Sequence, residues 1–295
     1  MLAGLFSRED RDQVRFSGSG GGPAHGLTLL TGLLIEHLGD KEAGFQAMIT
    51  KERPLGKTEF ATLGTDAGAL REEYLRQGEF LHLENFLPAN MLESWLEELE
   101  VLKSQIHRNF IPKHKKGGSV GYAGINRFAP QISRFFESSE LQMFLQRIVD
   151  APLKPCPEND PHRCALYAYT EEGDHIGFHY DTSYYKDRRW TALIGLKDLS
   201  TSRLVCHLHT KTPEREAEKL ELRVNPGALV LFNGDAVYHG VTPTRPGEER
   251  YIISMQFVTS EEMNPFLRLF SNLKDSFAYF GVKEVFLKGW RWSAH

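Results

Sequence analysis

Leu166-Tyr167-Ala168-Tyr169-Thr170-Glu171-Glu172-Gly173-Asp174-His175-Ile176-Gly177-Phe178-His179-Tyr180-Asp181 is the stretch from which the architecture of this chain is read. Ala165, Tyr167 and Tyr169 recur at period two, so the two tyrosines share one face of a strand. Glu172-Gly173-Asp174 is a polar turn, and beyond it His179 and Asp181 stand two residues apart, which on an extended backbone aims both side chains the same way. An imidazole and a carboxylate therefore converge. Two such groups suit a divalent metal of intermediate hardness, but two ligands do not close a site.

Working outward, 295 residues with 41% hydrophobic content are enough to bury one large core, or a core with an extension. A net charge of -4 leaves no basic excess for a nucleic-acid backbone, so no nucleic-acid partner is expected. Cys156, Cys164 and Cys206 are odd in number and lack CxxC spacing, which reads as reduced thiols and a cytoplasmic location. The apolar run at residues 27–38 carries Thr28, Thr31 and Glu36. It is too short and too polar to span a bilayer, and no secretory signal is recognised, so no membrane association is expected.

Residues 1–78 read as an N-terminal helical extension packing on a core. Residues 17–23 are rich in glycine and serine, and a helix is predicted from residue 65 or 66 to 77, with Asp66 as N-cap and Gly78 as the stop. Residues 79–260 form the core. It opens with a strand at Phe80, Leu81 and Leu83, and Met91, Leu92, Trp95, Leu96, Leu99 and Leu102 then mark an amphipathic helix. The basic run Lys113-His114-Lys115-Lys116 reads as a solvated loop. Residues 121–132 are dense in hydrogen-bonding groups, and there Tyr122, Asn126 and Arg127 either line a pocket or form a turn held by Asn126 with a surface Arg127. A second helix is predicted over residues 138–149.

Beyond residue 165 nearly everything reads as short strands, at 190–196, 203–208, 220–224, 228–232 and 250–258, with turns such as Asn225-Pro226-Gly227 between them. The predicted fold is mostly β with flanking helices (α+β). Its core is a double-stranded β-helix, or jelly-roll, with the N-terminal extension before it and C-terminal helices after it. Residues 261–295 are that C-terminal helical segment. Its stripe of Phe266, Leu269, Phe270, Leu273, Phe277 and Phe280 is a packing face, with a homodimer contact as the alternative.

His239 reads as lying just ahead of a short strand, 58 residues beyond Asp181, and a jelly-roll can bring it to the same barrel mouth. Two imidazoles and one carboxylate on one face of an ion leave three positions open, the arrangement of non-haem Fe(II) oxygenases. Arg250 opens the last core strand, with Ile252 and Ser254 on its own face. A buried guanidinium needs an anion, and a carboxylate accepts two parallel hydrogen bonds from it.

The pattern Tyr-x-Tyr-x-x-Gly-Asp-x-Ile-x-x-His-x-Asp, then Asn-Pro-Gly-Ala-Leu-Val-Leu-Phe-Asn-Gly-Asp, then His239 and Arg250 resembles the Fe(II)- and 2-oxoglutarate-dependent dioxygenases. Within them it is most similar to the prolyl-hydroxylase-like branch. The likeness covers about residues 79–260. It implies that His179, Asp181 and His239 hold Fe(II), and that Arg250 binds the far carboxylate of the cosubstrate 2-oxoglutarate with help from Tyr167 or Tyr169 and Ser254. Dioxygen is the oxidant. The chain departs from the pattern in two places. Ser200-Thr201-Ser202-Arg203 stands where relatives often have a Gly-Gly pair, and Ser254 lies four residues beyond the arginine where many have it two beyond. Arg245 is a rival for the carboxylate, but its place between Pro243 and Pro246 reads as an exposed loop.

Related halogenases carry a small residue at the position of Asp181, so the resemblance implies oxygenation: hydroxylation of an unactivated C–H bond, with desaturation or ring formation needing the same residues. Substrate candidates are Tyr122, Asn126, Arg127, His175, Phe178, Tyr184, Arg203, Tyr185 and His207, while strand alternation turns Tyr180 away from the metal. Such a polar, aromatic set points to a small carboxylate-bearing molecule, an amino acid or specialised metabolite, ahead of a protein side chain of prolyl type. Two further alternatives are a non-catalytic jelly-roll metal-binding protein, in which Arg250 pairs internally with an acid, and a zinc hydrolase with the same three ligands.

Overall fold

The computed structural model describes residues 66–183 and 185–262. Most of the N-terminal extension, Tyr184, and the C-terminal aromatic stripe with its dimer alternative lie outside the described residues.

The chain begins with helix α1 (Ala67–Arg76), whose N-cap Asp66 accepts from the Gly68 N–H at 2.9 Å. Strand β1 (Phe80–Leu83) and helix α2 (Ala89–Lys103) follow, then the hairpin β2 (His107–Ile111) and β3 (Lys115–Val120). Helices α3 (Tyr122–Phe128), α4 (Pro130–Glu137) and α5 (Ser139–Val149) come next, and a two-residue β4 (Lys154–Pro155) leads to the strands of the core. These are β5 (Cys164–Tyr169), β6 (His175–His179), β7 (Arg189–Leu199), β8 (Leu204–Leu208), β9 (Glu218–Leu222), β10 (Leu229–Asn233), β11 (Tyr238–Val241) and β12 (Glu249–Val258).

The strands run in the order β1-β10-β7-β12-β5-β3-β6-β11-β8-β9, and all of these ladders are antiparallel. β3 turns the corner. Its residues Gly118, Ser119 and Val120 pair with β5, while Lys115 and Lys116 pair with β6. The sheet thereby folds over, and Phe232 and Ile252 from one half share a buried cluster with Leu204, Cys206 and Leu208 from the other. This is the jelly-roll arrangement of two facing sheets. The outer face of β10, β7, β12 and β5 buries Leu231, Ile194, Ile253 and Leu166 beneath the helices, against Trp95, Leu99, Phe135 and Leu145. Helix α1 shares this core: Tyr74 is buried in it, and its hydroxyl accepts from Trp190 Nε1 at 2.9 Å.

Three local expectations are corrected. Residues 121–132 are not a pocket-lining loop but α3 and the start of α4. Pro130 sits in the first turn of α4, where it lacks only an N–H that would find no helical partner, and the Glu98 carboxylate accepts from the next two, Gln131 N at 2.7 Å and Ile132 N at 3.1 Å. The basic run is not a solvated loop either: Lys115 starts a strand and is 1% exposed, its Nζ 4.8 Å from the centre of the Tyr167 ring. His239 lies inside β11, where it is paired on both sides, instead of ahead of a strand.

Burial pushes the Glu98 carboxyl up to about 7 from the usual 4.5, against the pull of its two backbone donors. The folded chain therefore holds this proton more tightly than the unfolded one. The resulting stabilisation is complete below about pH 4.5 and is lost as the pH rises through 7, a change on the order of 3 kcal/mol. Denaturant unfolding of wild type and Glu98→Gln at pH 5 and pH 8 should show wild type losing stability relative to the variant as pH rises; a constant difference would contradict the assignment.

Candidate metal centre

The two halves of the folded sheet enclose a cavity of about 320 Å³. His179 ends β6, and its ladder partner across the antiparallel pair is His239 of β11. Directly opposed residues project to the same face, and the two imidazole centroids lie 4.4 Å apart. Asp181 follows just beyond the strand. Its Oδ1 is 3.3 Å from His179 Nε2 and its Oδ2 is 3.9 Å from His239 Nε2. One ligand atom from each of the three residues falls within 4.8 Å of the others, close enough to share one ion. Gly234 packs on Asp181 so closely that a Cβ there would sit 2.7 Å from the aspartate Cβ, so only glycine fits this approach.

Both imidazoles are oriented from behind. His179 Nδ1 lies 2.8 Å from the Gly177 carbonyl, and His239 Nδ1 lies 3.2 Å from that of Val237. A carbonyl can only accept, so each Nδ1 carries the proton and each Nε2 presents its lone pair to the cluster. Burial pushes His239 down to about 4 despite the neighbouring Asp181, so at pH 7 it is a neutral imidazole. Burial acts to raise the Asp181 carboxyl, but His239, His179 and Arg189 outweigh it and hold the group well below the usual carboxylate range. The Thr191 hydroxyl donates to Asp181 Oδ2 at 2.6 Å, and behind it Arg189 Nε donates to Gln256 Oε1 at 2.8 Å.

The turn that aims β6 is fixed by an ion pair between a buried carboxylate and a partly exposed guanidinium. Arg108 on β2 donates from Nη1 and Nη2 to the two carboxylate oxygens of Asp174, each at 2.7 Å, and Asp174 also accepts from Thr170 N and Glu171 N. Thr244, from the loop after β11, donates through its hydroxyl to the Glu171 carbonyl at 2.6 Å.

Arg250 lies along the same cavity and is 1% exposed. Its Nε and Nη1 have no hydrogen-bond partner among the described residues. The nearest carboxylate oxygen in an ion-pair contact is Asp198 Oδ2, 3.9 Å from Nε. Burial pushes the guanidinium below the usual arginine value, with Tyr169 and Asp198 acting against that shift. Tyr169 is the ladder partner of Arg250 on β5 and, with Tyr167, Ile252 and Ser254, lines the cavity.

Two family models match this region. That of the 2OG-Fe(II) oxygenase superfamily covers residues 164–258, and that of Halogenase D covers residues 64–186. Residues 164–258 belong to the 2OG-Fe(II) oxygenase superfamily. Solved structures share the fold. The epimerase SnoN from nogalamycin biosynthesis, in complex with Fe3+, alpha ketoglutarate and nogalamycin RO, is 13% identical over 70% of this chain and 89% of its own, with a TM-score of 0.57. A prolyl hydroxylase from Trichoplax adhaerens is 16% identical over 69% and 94%, with a TM-score of 0.55. The carbocyclase SnoK of nogalamycin biosynthesis is 13% identical over 66% and 85%, with a TM-score of 0.52. No curated protein matches the chain. This is accordingly a non-haem iron enzyme that uses Fe(II), 2-oxoglutarate and dioxygen. The donor set fits: two imidazole Nε2 atoms and a carboxylate for iron, and a buried arginine whose Nε and Nη1 have no hydrogen-bond partner among the described residues for a dicarboxylate.

The structure brings His179, Asp181, His239, Tyr167, Tyr169, Arg250 and Ser254 of this oxygenase onto one cavity. Most of the residues expected to meet substrate are elsewhere. Tyr122 donates to Glu137 at 3.0 Å, Asn126 accepts from Ser133, and the Arg127 guanidinium lies over the Phe128 ring, all within the helical layer. His175 turns its Nδ1 to the Gly173 carbonyl, and Arg203 donates to the Ser200 and Ser202 carbonyls. Phe178 is 44% exposed and stacks on Tyr238 away from the cavity, with His207 at its edge. Tyr185 is buried against Val258 and donates to Asp160. Alternation along β6 explains Phe178, since it neighbours His179 and must face outward. The same rule turns the Tyr180 ring outward, where it packs on Tyr238 and beneath Lys211 and its hydroxyl donates to Thr210, although the residue also borders the cavity.

Sequence reasoning missed His114, Asp160, His162, Arg189, Thr191 and Gln256, all on the cavity wall. Period two from Ser254 reaches Gln256, and period two along β7 links Arg189, Thr191 and Leu193. His114, Asp160 and His162 come from loops, where no periodicity operates.

Two outcomes are expected. Arg108→Ala leaves the buried Asp174 without its guanidinium and should cost about 3 kcal/mol, measured as a lower denaturant midpoint. Thr191→Val keeps the shape but loses the donor to Asp181, and should weaken Fe(II) or Mn(II) binding roughly tenfold by titration.

Proposed function

We propose that this chain is a hydroxylase in which His179, Asp181 and His239 hold Fe(II), Arg250 binds the far carboxylate of 2-oxoglutarate with Tyr169 and Ser254 beside it, and the substrate is a small carboxylate-bearing molecule. The observation that carries this reading is the buried Arg250, with two N–H groups unmatched by any described residue, on the wall of the same cavity as the three clustered donors. An unpaired buried guanidinium is too costly to keep without a ligand to meet it.

When bound, iron with 2-oxoglutarate and dioxygen supplies the oxidation that turns a substrate C–H into C–OH, while 2-oxoglutarate leaves as succinate and CO2. The protein's part is positional. The carbonyls of Gly177 and Val237 and the Thr191 hydroxyl hold the three donors in orientation. Ile176, Leu193, Leu204, Val241 and Ile252 make the apolar wall that excludes water. A cavity of about 320 Å³ lies at the small end of ligand sites, which supports a small molecule over a polypeptide segment. The Halogenase D match runs through Asp181; a carboxylate stands where the resemblance gives halogenases a small residue, which supports hydroxyl transfer over halide transfer. Arg250 is not hydrogen-bonded to Asp198, which counts against the non-catalytic alternative. The three buried, unpaired cysteines favour a cytoplasmic setting.

Anaerobic addition of Fe(II) and then 2-oxoglutarate should produce a weak visible charge-transfer band that His179→Ala abolishes. Arg250→Gln should raise the 2-oxoglutarate concentration needed for half the signal at least tenfold. Metal binding without such a band, and without coupled succinate release in a screen of small carboxylates, would sink the proposal.

A further inference from the structure

Beneath the anion site lies a second buried charge that the proposed chemistry does not use. Asp198 is the ladder partner of Arg250 across β7 and β12, so the two side chains share a face. Neither is accessible: side-chain exposure is 1% for Arg250 and 0% for Asp198. One Asp198 oxygen, Oδ1, is fixed by the Ser200 N–H at 2.9 Å and the Ser200 hydroxyl at 2.6 Å. The other, Oδ2, has no hydrogen-bond partner among the described residues, and neither do Arg250 Nε and Nη1. Oδ2 stands 3.9 Å from Arg250 Nε and 3.6 Å from Nε of Arg223, whose side chain is 42% exposed. A single carboxylate thus sits between two guanidiniums at ion-pair range without hydrogen-bonding to either.

We propose that Asp198 is a built-in counter-ion that competes with the cosubstrate's carboxylate for Arg250, and so sets how tightly 2-oxoglutarate is held and how readily succinate leaves. The inference rests on Arg250 being the anion site of the reading above. An unpaired buried guanidinium would be costly before the cosubstrate arrives, and a carboxylate 3.9 Å away offsets part of that cost. The same carboxylate repels an incoming one, so part of the attraction is cancelled. Arg223 acts from the surface side. By drawing on Asp198 Oδ2 it weakens the hold of Asp198 on Arg250. Product and cosubstrate both end in the same carboxylate, and a site that gripped one without restraint would grip the other.

The geometry requires opposite signs from two variants. Asp198→Asn keeps an acceptor for Ser200 while removing the charge, and should bind 2-oxoglutarate and succinate at least fivefold more tightly by calorimetry on the Mn(II)-loaded protein, with a larger ligand-induced rise in Tm. Arg223→Gln, at a partly exposed position, should bind both at least threefold more weakly, and should lose that effect when combined with Asp198→Asn. A purely structural role would weaken binding in both variants. Weaker or unchanged binding in Asp198→Asn, while wild type binds 2-oxoglutarate, overturns the counter-ion role and leaves the oxygenase reading standing. If Asp198→Asn does not fold, Arg223→Gln still decides, since unchanged affinity there removes the coupling. No binding of 2-oxoglutarate by metal-loaded wild type overturns both.

Discussion

The antiparallel register that sets His239 opposite His179 is the constraint on which the rest of the site depends. It joins two parts of the chain 60 residues apart through backbone hydrogen bonds, and the pleat then does the aiming. A slip of one residue in either strand would turn an imidazole outward, as Phe178 and Tyr238 are turned now, stacked on each other on the outer face. The register is held at one end by the buried Asp174 with Arg108, and at the other by the close approach of Gly234 to Asp181. His179 and His239 are thus placed by paired strands, Asp181 follows just beyond one of them, and loops contribute to the cavity wall.

The interior is layered by polarity. Between the helices and the outer face of the large sheet lies a dry core in which Trp95, Phe135 and Leu99 meet Leu166, Ile194 and Ile253. Between the two halves of the sheet the filling is mixed, with an apolar cluster around Phe232 and Leu204 and beside it the ionisable cavity. That cavity keeps opposite charges separated: the carboxylate of Asp181 at one place, the guanidinium of Arg250 at another, and Asp198 behind the latter. Groups buried in this way stay charged only because each has a counterpart, from the protein or from what the cavity takes in.

Much of the layout was legible because it is periodic. Tyr167 with Tyr169, and Arg250 with Ile252 and Ser254, follow period two, and all lie on the cavity. The amphipathic repeat from Met91 to Leu102 appears as α2 with Met91, Trp95, Leu99 and Leu102 buried. Legibility ended where periodicity did. His114, Asp160 and His162 reach the cavity from loops, and the first N–H groups of α4 are met by Glu98, some thirty positions away in sequence, which accepts from Gln131 N and Ile132 N. Lys115 looks like a surface lysine in a basic run, yet the bend of β3 between the two sheet halves carries it inside against Tyr167.

The sequence by itself determined the strand-rich core and singled out His179, Asp181, His239 and Arg250, since side-chain type, spacing and local alternation suffice to pick out those residues. Only the tertiary structure decided what surrounds them: that Thr191, Arg189 and Gln256 stand behind Asp181, that Asp198 faces Arg250, and that Tyr122, Asn126 and Arg127 belong to the helical layer. The reason is physical. Ligand identity is a property of single side chains at a fixed spacing, whereas the wall of a cavity is assembled from segments whose proximity is set by how sheets fold over and helices pack, and no local pattern encodes that.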